Sequence, residues 1–117
     1  MSLSPFIEID DGYTLDSDVP AMARLYAAIP FRYRPALPAE VVAFSRGQNR
    51  GAPEQEVTHQ CQFILDHLVS WDVTNKRGEL VRPSLEMLAK MYPNILASFV
   101  NHICGWQSPA READAKN

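Results

Sequence analysis

The residues best suited to chemistry are three histidines and two cysteines, and two of each share one repeated spacing, His59-Gln60-Cys61 and His102-Ile103-Cys104. Imidazole nitrogen and thiolate sulfur both ligate zinc, so the repeat first suggests a metal. Each pair lies in a stretch of helical periodicity, however, where residues two apart point about 200° from each other around the axis. Neither pair converges on one ion. One ligand from each helix, with His67 as the remaining candidate, falls short of a closed structural site, so no metal is expected. A nucleophilic Cys61 would need a basic neighbour and partial exposure, yet its helical neighbours are apolar. Both cysteines are read as buried, unpaired thiols. Gly12, Gly47 and Gly51 are isolated, with no glycine-rich string to cradle a phosphate, and Asp10-Asp11 before Gly12 reads as turn chemistry. The expectation is a protein without catalytic residues or cofactor.

At 117 residues, 46% hydrophobic and 21% charged, the chain suffices for one core. Residues 1–106 are expected to form a single globular domain. Residues 107–117, small and charged, are expected to form a flexible tail because they offer too little apolar surface to offset ordering. No apolar run approaches the roughly 20 residues of a membrane span, and the N-terminus lacks an export pattern, which predicts a cytoplasmic protein. A net charge of −3 argues against a nucleic-acid partner. The charge is uneven: Glu8, Asp10, Asp11, Asp16 and Asp18 precede Arg24, Arg32, Arg34, Arg46 and Arg50, which face only Glu40. Two such segments lying side by side would neutralise each other; a charged docking patch is the alternative.

The elements that must position these groups follow from periodicity and punctuation. Phe6 to Leu15 alternates around Asp10-Asp11-Gly12 as a hairpin, and Pro20 opens a short helical segment through Ala21, Met22, Leu25 and Tyr26. Ile29 to Tyr33 reads as a half-exposed strand, which Pro30 and Pro35 confine to an edge or make brief. Pro38 starts a short helix with Val41, Val42 and Phe44 inside and Gly47 as a left-handed cap. Residues 46–53 form a polar loop. From Pro53 a longer helix places Val57, Cys61, Ile64, Leu65 and Leu68 on one face. Trp71 to Arg82 reads as a β-hairpin connector turning at Asn75-Lys76-Arg77-Gly78. Pro83-Ser84 then opens a helix through Leu85, Leu88 and Met91, which Pro93 must break. Ile95, Leu96, Phe99, Val100 and Ile103 define the last helix, ended by Gly105. The predicted fold is α+β and mostly helical, with a small sheet on about four helices.

Phe31, Arg32, Tyr33 and Arg34 read either as an edge strand offering its backbone to another chain or as a strand with solvated arginines, and Trp106 either packs on the core or stands as an exposed aromatic anchor. Trp71, Gly78, Pro83 and Pro93 read as structural. The ordered pattern Ile29-Pro30-Phe31-Arg32-Tyr33-Arg34-Pro35, then Leu68-Val69-Ser70-Trp71-Asp72-Val73, the Gly78 turn, Val81-Arg82-Pro83-Ser84 and a closing helix at Pro93 resembles the tail assembly chaperones and related small tail-assembly proteins of tailed phages and prophages. The resemblance spans most of residues 28–105 and leaves the acidic N-terminal hairpin outside it. It implies a small cytoplasmic factor that holds a tail component, the tape-measure or tube protein, until assembly proceeds, with Phe31, Arg32, Tyr33, Arg34, Trp106 and, on the last helix, Phe99 as the contact residues. In such a family self-association and frameshifted longer forms occur, and an extension would join after Trp106. From another class, an adaptor or regulatory domain would bind a folded partner through the surface from Arg24 to Arg50. A third reading is an enzyme subunit completed by a second chain.

Overall fold

The computed structural model describes residues 13–47 and 53–106. The first arm and turn of the expected N-terminal hairpin, most of the polar loop after Gly47 and the expected tail lie outside them. Strands β1 (Leu15–Val19), β2 (Ile29–Tyr33) and β3 (Leu68–Trp71) form an antiparallel sheet in the order β1-β2-β3. With helices α1 (Pro38–Gly47), α2 (Pro53–His67), α3 (Leu85–Ala89) and α4 (Pro93–Ile103) they make an α+β fold.

The strand alternation decides which side of the sheet is covered. On β2, Ile29, Phe31 and Tyr33 are buried while Pro30 and Arg32 are exposed, and Ser17 and Val19 of β1 turn inward with them. Helix α4 lies over this inner face, with the Phe99 ring meeting Phe31 edge-on at 4.9 Å and Trp71 6.1 Å away. The apolar stripe expected on α4 is buried at all five positions: Ile95, Leu96, Phe99, Val100 and Ile103.

Of the two expectations for β2, an edge position or a brief strand, the structure gives the second: it is five residues long and central in the sheet. Pro30 is tolerated there because it sits on the last rung, where its carbonyl accepts from the Asp72 N–H at 2.9 Å and only the return bond is missing. The sheet's irregularity lies in β3. Arg32 faces Ser70 and Tyr33 faces Leu68, which leaves Val69 as the extra residue of a bulge. The short helix expected after Pro20 is also absent. The β1–β2 ladder brings Val19 opposite Ile29, so the residues between must reverse the chain. They do so through a tight turn from Met22 to Tyr26, closed by reciprocal main-chain bonds of 3.0 and 3.1 Å, with Arg24 at a φ of 69°.

The connector is a hairpin, held by a Thr74–Leu80 bridge and by Val81 N–H donating to the Val73 carbonyl at 2.9 Å. Asn75 does more than begin the turn, since its side-chain oxygen accepts from the N–H groups of both Arg77 and Glu79. Gly78 takes the positive φ, 80°, that such a turn requires. Ser84 then caps α3 by accepting from the Met87 N–H at 3.1 Å, and Pro93 opens α4 at its first turn. At the far end Gly105 N–H donates to His102 and Trp106 N–H to Asn101, the paired bonds of a Schellman cap around Gly105 at φ 78°.

Two substitutions separate packing from backbone conformation. Phe99→Ala is expected to destabilise the fold by about 3–5 kcal/mol through the cavity it leaves, whereas Gly78→Ala is expected to cost about 1–2 kcal/mol from its left-handed backbone alone. Nothing lies within 4 Å of a methyl built at Gly78, so urea denaturation should find the second change small and side-chain NMR signals in the core unmoved.

Candidate functional site

The groups that could do chemistry are dispersed and held by the chain itself. His59 stacks on Phe44 with ring centroids 5.1 Å apart, and its Nε2 donates to the Phe44 carbonyl at 3.1 Å. Gly47 permits this. A methyl there would come within 2.6 Å of the His59 ring, and Gly47 does not adopt the left-handed cap conformation expected of it but serves as the last residue of α1. His102, on α4, is buried between Phe31 and Tyr33, with Nδ1 donating to the Ser98 carbonyl at 2.8 Å. Cys61 is buried and Cys104 half-buried, the latter more open than expected. Desolvation raises both thiols, Cys104 to about 11, so neither is a thiolate near neutral pH. Among the described residues no three His, Cys, Asp or Glu side chains converge as a metal-holding group.

The closest approach to a charged cluster is Arg34, Glu40 and His67. His67, buried at the end of α2, donates from Nδ1 to the Phe63 carbonyl at 2.8 Å, while its Nε2 lies 3.1 Å from a Glu40 oxygen. The buried ring thus bridges the last turn of α2 and Glu40 on α1. Arg34 stands 3.8 Å from the other Glu40 oxygen, which also accepts from the Leu37 N–H at 2.9 Å. Desolvation alone would raise the Glu40 carboxyl, but the Leu37 N–H and the charges of His67 and Arg34 outweigh it and hold it below the usual carboxylate range. The cluster ties α1 to the β2 exit and the α2 terminus. Its geometry is that of a structural junction.

Three of the residues expected to meet a partner are core residues. Phe31, Tyr33 and Phe99 are 4%, 1% and 0% exposed, because alternate β2 positions and one α4 face turn toward each other. They cannot reach another protein while the domain is folded. Arg32 is exposed on the outer sheet face, where it pairs with Asp16 directly across the ladder at 2.8 Å. Arg32 and Arg34 therefore face Asp16 and Glu40, which narrows the basic surface from Arg24 onward. Trp71 is buried, and its Nε1 donates to the Val81 carbonyl at 2.6 Å.

Besides a polar cleft of about 450 Å³ along the sheet, lined by Asp16, Asp18, Arg32, Ser70 and Asp72, the surface offers apolar concavities. Trp106, 57% exposed, borders a cleft of about 410 Å³ against Phe44, Gln60, Ala97 and Val100. A second, larger groove of about 570 Å³ runs between the α2–β3 junction and the returning connector arm, lined by Leu65, Leu68, Val69, Leu80 and Pro83. Within it Val69 is 54% and Leu80 70% exposed. Sequence reasoning passed over this groove. Its signal was Leu68-Val69: two adjacent aliphatic residues cannot both face inward on a regular strand, so one must emerge or the strand must bulge.

No protein-family model, curated protein or solved structure matches this chain. No helix among the described residues is long and apolar enough to cross a membrane.

The Glu40 cluster has a defined pH signature. Because the folded carboxyl titrates below its unfolded value, its contribution is complete above the ordinary value of 4.5 and is lost as pH falls through the lower, folded value. Glu40→Gln should lower stability at pH 7 by about 1 kcal/mol, given the one-third exposure of the pair. The difference from the parent protein should shrink as thermal melts are taken below that range. A difference that stayed constant down to strong acid would show that the carboxylate charge is not what holds the cluster.

Proposed function

We propose that this chain is a non-enzymatic binding protein that covers apolar surface on another protein, acting as a tail assembly chaperone for a tape-measure or tube protein of a phage or prophage. The observation that carries the binding part is the presence of two separate clefts whose rims hold large exposed apolar side chains, Trp106 at one and Val69 with Leu80 at the other. Single exposed aliphatic groups are ordinary, but apolar groups gathered around a concave surface mark a site of contact. The non-enzymatic part is supported by the histidines, each bonded or stacked within the chain, and by thiols held in their protonated form.

The tail-assembly part rests on the residue pattern from Ile29 to Pro93. In the structure those residues are the framework: β2, the bulged β3, the Gly78 turn, the Ser84 cap and the start of α4. The framework holds the two clefts on a fixed scaffold, as a reversible holder of an apolar client requires. This reading implies the cytoplasm of the bacterial host, and self-association through the same apolar rims would compete with the client. Co-expression with the tape-measure and tube proteins of the same genome tests it. The soluble yield of one of them should rise with this chain present and fall back with Trp106→Ser combined with Leu80→Ser. Unchanged soluble yield of both would refute the chaperone reading.

A further inference from the structure

Resting on the binding role just argued, we infer that the groove between β3 and the connector arm takes one kind of occupant, an amphipathic helix of a partner protein that carries acidic residues beside its apolar stripe. The floor and walls explain the apolar half. Leu65 and Leu68 come from the end of α2 and the start of β3, Val69 from the bulge, and Leu80 and Pro83 from the returning arm, so the groove presents side chains from three directions. Its main chain has little to offer. The Val81 N–H already donates to Val73, the Val81 carbonyl already accepts from the Trp71 indole, and Pro83 has no N–H at all. β3 itself is four residues long and bulged, which makes it a poor template for an added strand. An occupant must therefore satisfy its own backbone, and a helix is the element that does so.

The charge half follows from the same arm. Arg82 lines the groove, and Lys76 and Arg77 stand at the hairpin tip, one rung beyond Leu80. None of the three forms an ion pair among the described residues. Glu79 is the one acid between Lys76 and Arg82, and its carboxylate stays charged while it accepts from the Asn75 amide, so these residues carry a net charge of +2 (three cations less one acid). An apolar groove flanked by this excess of cations selects carboxylates at the edges of the incoming stripe, and the attraction should weaken with salt.

The probe is a synthetic helical peptide with a leucine stripe flanked by glutamates, compared with a twin carrying lysines instead and with a version broken by proline. NMR of the full chain should show the glutamate peptide shifting Val69, Leu80 and Val81, and binding roughly tenfold more tightly than its lysine twin. Leu80→Ser and Arg82→Glu, both at exposed positions, should each weaken it by roughly tenfold without altering the fold. Equal binding of the twins, tight binding of the proline-broken peptide, shifts confined to the Trp106 cleft, or no shifts at all would each overturn the assignment. So would a concentration-dependent dimer dissolved by Leu80→Ser, which would make a second copy the occupant. A Leu80→Ser chain that still raises the soluble yield of the co-expressed tail protein would sink the groove while leaving the chaperone reading standing.

Discussion

The seating of α4 on the inner face of the sheet, where the edge of one aromatic ring meets the face of another at Phe31 and Phe99, fixes the position of everything else in the molecule. Edge-to-face contact between rings is directional as well as apolar, so it sets both the height and the rotation of the helix over β2. Once α4 is rotated to place Phe99 there, Ile95, Leu96, Val100 and Ile103 fall toward α2 and the sheet, and His102 is carried into the interior beside Tyr33. The Ala36 N–H then donates to the Ile103 carbonyl at 3.0 Å, which anchors the exit of β2 to the end of the helix. Helix α1 starts from that anchored point. The Glu40 cluster is thus a consequence of the helix seating, and it reinforces a junction that packing has already made.

Much of this was legible from residue order. The caps at Ser84, Pro93 and Gly105 bracket α3 and α4 because each relieves a defined backbone problem: an orphan N–H, a missing donor, a reversal needing positive φ. The β2 alternation was equally plain. What periodicity could not supply was the neighbour of each strand. Pro30 argued for an edge, yet a proline on the terminal rung loses a single bond and leaves the rest of the ladder intact. Met22, Leu25 and Tyr26 carried helical spacing over too short a stretch to outweigh the pairing of β1 with β2, which needs a reversal at that point. Val57, placed on the buried face of α2 by spacing alone, is 40% exposed, because the start of α2 extends beyond the packing that begins where His59 stacks on Phe44.

The contact residues show the same limit in a sharper form. Aromatic residues between arginines look like an interface when the strand is pictured alone. Within the sheet the two sets separate onto opposite faces, the rings becoming core and Arg32 turning outward to Asp16. The most exposed large apolar side chains sit where regular structure is interrupted: Val69 in the bulge, Leu80 on the arm and Trp106 beyond the Gly105 cap. Local pattern rules describe regular segments, so irregular ones are where they are least informative.

Trp71 joins the two halves of this picture. One end of its ring system lies in the core near Phe99, and the other is latched to the returning arm through Val81, while its side also lines the groove. The arm cannot swing outward without breaking that bond and leaving the largely buried indole N–H without its acceptor. The calibre of the groove is accordingly tied to the packing of the core, so its width is decided when the protein folds.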